Sequence, residues 1–368
     1  MSTLQVALAI AGGVVLAGVV AHSAWTSRKS KPRQAEPAIE RDKLHEPGLD
    51  PDASLGAQAF RGDAQGTALG AAHGVAGDGA DGNFDVRSVM PTPDKRPMLD
   101  ALIDVIAPIE LESPASGDAA LAAMPPTRRV GTKHFSIEGL NSQSGEWETP
   151  RPGQRYGAFQ AGVQLANRLG PLNEIEYSEF VMKTRAFADA LDAEPEFPEM
   201  LDEVSRAREL DHFAGAHDAQ LSFTLKAIDL PWSPGYVQQN AARLGFVAGV
   251  IPGRMVIPAS TPGLPPILDL SFDSQAALAD DPSLSAIRQL TLTLDVPQVD
   301  RGEEPFARMC FVATELARIM DGQVTDDHGQ PLSEQAIQSI HHDLRGLYDT
   351  LDARDLSAGS PQARRLFN

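Results

Sequence analysis

The length and composition of this chain, 368 residues of which 42% are hydrophobic and 22% charged, exclude a wholly disordered protein and leave room for one large or two ordinary domains. The 50 acidic and 31 basic side chains give a net charge of −19, and because phosphate backbones would repel such a chain we expect no nucleic-acid partner. The single cysteine, Cys310, excludes an intramolecular disulfide and a cysteine-clustered metal site.

An apolar run at the N-terminus predicts a transmembrane helix and anchor over residues 1–27. At about 1.5 Å per residue, a helix over residues 4–24 spans roughly 30 Å, the thickness of a bilayer core. No cation precedes the run, whereas Trp25, Arg28 and Lys29 follow it, which favours a retained span with a cytoplasmic C-terminal side over a cleaved signal peptide. The residues expected to contact lipid are Leu4, Leu8, Val14, Leu16 and Val20.

Residues 28–97 are rich in Gly, Ala, Asp and Pro and show neither the helical nor the strand period, which predicts a disordered linker. A flexible coil of about 60 residues has a root-mean-square reach of roughly 40–45 Å. Such a linker would hold a folded domain clear of the lipid headgroups.

Alternating and helical patterns begin at residue 98 and predict an α+β body. A first α+β module over 98–218 is expected to contain strands at 99–107, 130–140, 156–166 and 178–188, then a helix at 198–213. A second module over 219–352 is expected to contain strands at 220–227, 246–258, 268–273 and 290–296, and helices that begin at Ser233, Pro305 and Ser333. Residues 353–368 are expected to form a flexible tail.

The order of elements in the second module is that of a split βαβ sandwich, an antiparallel sheet with helices on one face. Phe197 and Met200 recur as Phe306 and Met309 at one constant spacing, which indicates that the module is duplicated. The alternative is one enlarged domain in which the extra strands extend a single sheet.

Several titratable or aromatic residues are candidates for catalysis or metal binding, but each has a simpler explanation. Asp326-Asp327-His328 suits a turn, and His341-His342 suits a solvated helix face. Trp232 precedes a helix cap and suits packing, while Asp104, inside an apolar strand, lacks an identifiable partner. We therefore predict a protein that is not an enzyme and that holds no cofactor and no metal.

Two groups of residues resemble the ZipA family, membrane-anchored bacterial division proteins that bind FtsZ. The first is the junction 22–29, and the second comprises Val296-Pro297, Glu315-Leu316-Ala317, Asp321-Gly322, Val324, Asp326-Asp327 and Leu332-Ser333. The resemblance implies a single-pass inner-membrane protein of the division site, with a periplasmic N-terminus. Its cytoplasmic domain would bind the C-terminal peptide of FtsZ and tether the FtsZ ring to the membrane.

The resemblance also implies a binding surface on the sheet face that carries no helices. Carried over by position, its residues are Gln220, Ser222, Thr224, Ile251, Ser274, Thr291 and Thr293. The family's face is apolar, whereas this one is mostly hydroxyl and amide. Either the site has moved to the first module, where Ile103 and Val105 stand on the first strand and Phe180 and Met182 on the fourth, or the second face is covered or binds a more polar peptide.

Two alternatives stay open at this stage. Ile103 and Val105 also suit an ordinary hydrophobic core. The chain as a whole also suits a membrane-tethered interaction scaffold of the cell envelope that does not bind FtsZ. Whether the chain self-associates is unknown.

Overall fold

The computed structural model of the protein describes residues 32–35, 99–278, 285–326 and 329–368. The predicted anchor, with Leu4, Leu8, Val14, Leu16, Val20, Trp25, Arg28 and Lys29, and most of the predicted linker lie outside these residues. Among the helices that the structure describes, none has the length and apolar character needed to cross a bilayer.

The first module is an antiparallel sheet with strand order β2-β3-β5-β1-β8, in which β4 also pairs with β3. The strands are β1 Asp104–Ser116, β2 Arg129–Val130, β3 Lys133–Asn141, β4 Trp147–Glu148, β5 Arg155–Gln164, β6 Ala166–Asn167, β7 Gly170–Pro171 and β8 Ala193–Pro195. The helices are α1 Gly117–Ala123, α2 Glu174–Asp189 and α3 Met200–His217. Strands β6 and β7 form a separate hairpin.

The predicted strand at 178–188 is wrong, because these residues belong to α2. Asn173 and Glu176 form a capping box at its start, which satisfies free backbone N–H groups and begins the helix. Tyr177, Phe180 and Phe187 are buried at helical spacing, whereas Met182 is exposed. The strand predicted at 99–107 is also displaced, since β1 begins at Asp104.

The second module is an antiparallel sheet with strand order β10-β11-β12-β13-β9-β14. The strands are β9 Gln220–Ala227, β10 Val247–Ala248, β11 Arg254–Ile257, β12 Leu268–Ser271, β13 Gln289–Asp295 and β14 Gly322–Thr325. The helices are α4 Pro234–Arg243, α5 Ser274–Ala277, α6 Pro305–Met320 and α7 Glu334–Asp352. The predicted bounds of β9 are confirmed, and Ser233 and Ser333 cap α4 and α7 as predicted.

The two sheets share the order of four strands, β3-β5-β1-β8 in the first and β12-β13-β9-β14 in the second. In each module the first strand lies in the sheet between two later strands, so that β5-β1-β8 corresponds to β13-β9-β14. Helix α2 then corresponds to α6, and α3 to α7. The spacing that pairs Phe197 with Phe306 therefore joins elements that are not equivalent, since Phe197 precedes α3 and Phe306 lies in α6. Two separate sheets also replace the single extended sheet of the alternative interpretation.

The prediction of a flexible tail is wrong. Helix α8, Pro361–Leu366, follows α7, and the side chains of Leu366 and Phe367 are buried. Gln298 Nε2, from the second module, donates to the Phe367 carbonyl at 2.6 Å, and Gln164 Nε2, from the first, donates to the Arg365 carbonyl at 2.6 Å. The C-terminal segment thus connects the two modules.

Candidate partner-binding face

The second sheet has one apolar and one polar face, because its side chains alternate along each strand. On β9, Phe223 and Leu225 are buried on the side that carries the helices, as are Leu290, Leu292 and Leu294 on β13. The other side of these strands carries Ser222, Thr224, Thr291 and Thr293, which are half-buried. We call this second side the open face.

The strand register arranges the open face in two rows. Residues directly opposite one another on neighbouring strands share a face and lie about 5 Å apart. The first row is Arg254, Ser271, Thr291, Thr224 and Thr325, and the second row is Val247, Val256, Asp269, Thr293 and Ser222. In both rows the side chains on β13 and β9 are hydroxyls, whereas those on β10, β11 and β12 include valines, an arginine and an aspartate.

Apolar side chains collect at the β10–β11 end of the open face. Val247 is 50% exposed and stands opposite Val256, and the turn that joins the two strands carries Val250 and Ile251, the latter 55% exposed. Exposed aliphatic side chains that stand together mark surfaces that bind a partner more often than single ones do. This end is therefore the place where the open face could bury apolar groups of a partner.

Two carboxylates lie on the open face, Asp269 in its middle and Asp295 at one corner. Burial raises the pKa of Asp269, and the nearby Asp295 raises it further, while Arg254 acts in the opposite direction. At one corner, Arg168 from the β6–β7 hairpin binds both Asp218 (2.6 Å) and Asp295 (2.7 Å). Asp295 thus shares the Arg168 cation with Asp218, and Arg254 is the cation that acts on Asp269.

The structure brings most of the predicted site residues together. Ser222, Thr224, Thr291 and Thr293 are neighbours in the two rows, and Ile251 lies at their apolar end. Gln220 is at the end of β9 opposite Asp295, and Ser274 begins α5 beside the β10–β11 turn, where Phe272 N donates to the Gly253 carbonyl at 2.9 Å.

Two apolar residues of the face, Val247 and Val256, did not emerge from the sequence reasoning. Both lie within the predicted strand 246–258, in which the buried residues Phe246, Met255 and Ile257 alternate with them. The alternation of buried and exposed positions along a strand would have identified them as residues of the opposite face.

The comparison with known families concerns this part of the chain. Residues 279–343 match the family model described as "ZipA, C-terminal FtsZ-binding domain". This stretch is ZipA-like. The match includes β13, α6, β14 and the first half of α7, and it confirms the resemblance predicted from the sequence. No curated protein matches the chain.

The expectation that Ile103 and Val105 form a binding surface on the first module is wrong. Both side chains are fully buried in the core, on the side of the first sheet that packs against its helices. A shift of one residue moves every side chain of a strand to the other face of the sheet. The residues of β1 on the side without helices therefore include Ile106 and Pro108. Phe180 and Met182, assigned to the same surface, lie on helix α2 instead.

The equivalent face of the first module is in contact with other parts of its own chain. Leu99 packs on Gly162 of β5 so closely that a Cβ on this glycine would come within 2.3 Å of it, and the Leu99 N–H donates to Glu138 Oε1 at 3.0 Å. At the other end, Arg365 of α8 forms a bidentate ion pair with Asp104 at 2.8 and 2.5 Å. Asp104 thus acquires the partner that the sequence did not reveal, and its role is structural.

Two further candidates for chemistry, Cys310 and Trp232, are accounted for by packing. Burial raises the pKa of the Cys310 thiol to about 11, so the thiolate is scarce at neutral pH. Trp232 is fully buried, with its indole N–H donating to the Met320 carbonyl at 2.8 Å. The described part of the chain contains no cluster of His, Cys, Asp and Glu suited to a metal, and Asp327 and His328 lie outside that part.

Proposed function

We propose that the chain is a membrane-anchored cell-division adaptor that binds the C-terminal peptide of FtsZ on the open face of the second module. The observation that supports this most is the match of residues 279–343 to an FtsZ-binding family on a sheet that keeps its helices on the opposite side. The apolar run at 4–24 and the cations after it support the anchor in the inner membrane. The function is binding, without catalysis.

The chemistry of the face indicates how the peptide would be held. Val247, Val256 and Ile251 offer apolar contact at one end, and the threonine hydroxyls offer hydrogen bonds at the other. At about 25 cal/mol per Å² of apolar area, these few aliphatic side chains yield only a modest binding free energy. We therefore expect an affinity in the micromolar range or weaker.

The proposal is tested by fluorescence anisotropy of a labelled FtsZ C-terminal peptide with the full chain in detergent micelles. The variant Val247→Asp with Val256→Asp places two charges at the apolar end and should weaken binding at least about tenfold. Thr314→Asp, on the exposed side of α6, is the matched control and should bind like the wild type. No binding by the wild type at hundreds of micromolar, or equal binding by the double variant, would contradict the proposal.

The polar character of the face keeps the scaffold alternative in view, and localisation separates the two. A fluorescent fusion of the full chain should collect in a ring at midcell in dividing cells. A uniform halo along the membrane would favour a cell-envelope scaffold that does not bind FtsZ.

A further inference from the structure

A short segment near the N-terminus, residues 32–35, lies on the second module. The Arg33 N–H donates to the Pro231 carbonyl at 2.7 Å, and the Ser233 N–H donates to the Arg33 carbonyl at 2.8 Å. These two bonds add Arg33 to the chain around Trp232 as a parallel bridge. On its other side Trp232 forms an antiparallel bridge with Ile287. The backbone at Trp232 is therefore hydrogen-bonded to another segment on both sides.

The Arg33 side chain reaches the C-terminal end of α6. Its guanidinium donates to the Met320 carbonyl at 3.2 Å and to Asp321 Oδ2 at 2.7 Å. The C-terminus of a helix has free carbonyl groups and a partial negative charge, and the Asp321 carboxylate adds a full one. The end of α6 is therefore a cation site built from three features: carbonyl groups, the helix dipole and a carboxylate.

We propose that residues 32–35 act as a latch that holds the second module close to the membrane-proximal end of the chain, and that the long linker extends only when the latch opens. The inference rests on the anchor of the proposed function. Arg33 contacts the body that begins at residue 99, so with the latch closed the chain between residues 35 and 99 joins two points of the same body. The linker then contributes nothing to the distance between membrane and module.

The lengths show how much the latch changes the reach. With the latch closed, only residues 28–32 separate the predicted membrane span from the module, and at about 3.4 Å per residue they extend to roughly 17 Å. With the latch open, the predicted linker has a root-mean-square reach of roughly 40–45 Å. Opening the latch would more than double the distance at which the module can capture a filament.

The contacts also indicate that the latch is reversible. The ion pair is partly exposed, with 29% of the Arg33 side chain and 45% of the Asp321 side chain accessible, so salt weakens it. The main-chain contact is a single bridge. A latch of this size can open without unfolding the module.

Hydrogen exchange on the full chain in detergent tests the latch without FtsZ or a bilayer. Arg33→Glu places a second acid beside Asp321 and should raise exchange at the amides of residue 33 and Ser233 at least about fivefold. Asp321→Asn, which tolerates the left-handed backbone at this position (φ 56°), should give a smaller increase. Gln34→Glu is the control and should leave both amides unchanged, and unaltered exchange in β9 and β13 shows that the fold is intact.

Energy transfer measures the reach in nanodiscs. The donor is attached to Thr314→Cys in a Cys310→Ser background, and the acceptor is a labelled lipid headgroup. Arg33→Glu should lower the transfer efficiency, and Gln34→Glu should not. If the Ser233 amide exchanges equally fast in the wild type and in Arg33→Glu, there is no latch. If the amide is protected but transfer does not change, the claim about reach is overturned; if the wild type fails to enter nanodiscs, the anchor of the proposed function fails instead.

Discussion

The two modules have the same order of strands but use the sheet face without helices differently. In the first module this face is in contact with Leu99 and with α8, whose Arg365 neutralises the buried Asp104. In the second module the equivalent face carries half-buried hydroxyls, an apolar end and Asp269. One copy of the topology is therefore partly covered by its own chain on this face, and the other is not covered by these segments.

The difference shows that sheet topology alone does not determine where a binding site lies. The two modules differ in the chain on either side of them: Leu99 contacts the first sheet at the start of the body, and α8 contacts it at the end. Each of these contacts can be broken by a single substitution.

The largest effect is expected from Arg365→Ala. This change leaves the carboxylate of Asp104, which is fully buried, without its bidentate partner, and breaking such a pair costs about 3–5 kcal/mol. The free energy of unfolding, measured by denaturant titration, should fall by this amount. Arg208→Ala removes an exposed ion pair with Glu174 and should cost less than about 1 kcal/mol. Equal losses for the two variants would show that α8 is not an integral part of the body.

The second module could be predicted from the sequence because its strands are antiparallel with one buried face. Leu221, Phe223 and Leu225 alternate with polar residues over the whole of β9, so period and bounds are visible together. Ser233 and Ser333 are local cap signals, and each caps through its own side chain. These elements depend on neighbours in the sequence.

Helix α2 carried a local signal in its capping box, whereas two other mispredictions depend on distant parts of the chain. The C-terminal segment is held by Gln164 and Gln298, and nothing within 353–368 announces these partners. In the same way, the pairing of β1 with β5 sets which residues of β1 face the core. The sequence of β1 alone did not distinguish this register from one shifted by a single residue. That single residue decided whether Val105 was assigned to the surface or to the core.

A smaller effect is expected when the polar part of the open face is made apolar. Thr293→Leu adds roughly 50 Å² of apolar surface beside Asp269 and Ser222, worth about 1 kcal/mol, and should tighten binding of the FtsZ peptide roughly fivefold. Ala158→Leu makes a matched change on β5, the counterpart of β13, and should leave the affinity unchanged. Anisotropy titrations of both variants measure the difference, and a gain with Ala158→Leu would place the site on the first module.

Substituting Gly162, the glycine that Leu99 packs on, is expected to change the free energy of unfolding by a similar amount. Gly162→Ala forces the Leu99 side chain to move, at a cost of about 1 kcal/mol, and the Leu99 amide should lose protection from hydrogen exchange. Gly157→Ala on the same strand is the control, because its Cβ would lie 3.7 Å from Ser142 Oγ, an ordinary contact. Unchanged protection of Leu99 in Gly162→Ala would mean that this residue does not cover the first sheet.

The smallest effect is expected from Asp269→Asn, which compares this half-buried carboxylate with the buried one of Asp104. Burial raises the pKa of Asp269 above its ordinary value of 3.8, so the folded state binds this proton more tightly than the unfolded chain. The contribution of Asp269 to stability therefore falls as the pH rises from 3.8 through the folded pKa, and the full penalty remains at neutral pH. Asp269→Asn should raise the free energy of unfolding at pH 7 by less than about 1 kcal/mol, since the carboxylate is partly hydrated. In denaturant titrations at a series of pH values, the variant should also show a smaller fall in this free energy as the pH rises above about 4. Asp104→Asn should do the opposite and lower stability at pH 7, because it removes the bidentate ion pair with Arg365. If both variants shift stability in the same direction, the contrast between the ion-paired Asp104 and the desolvated Asp269 does not hold.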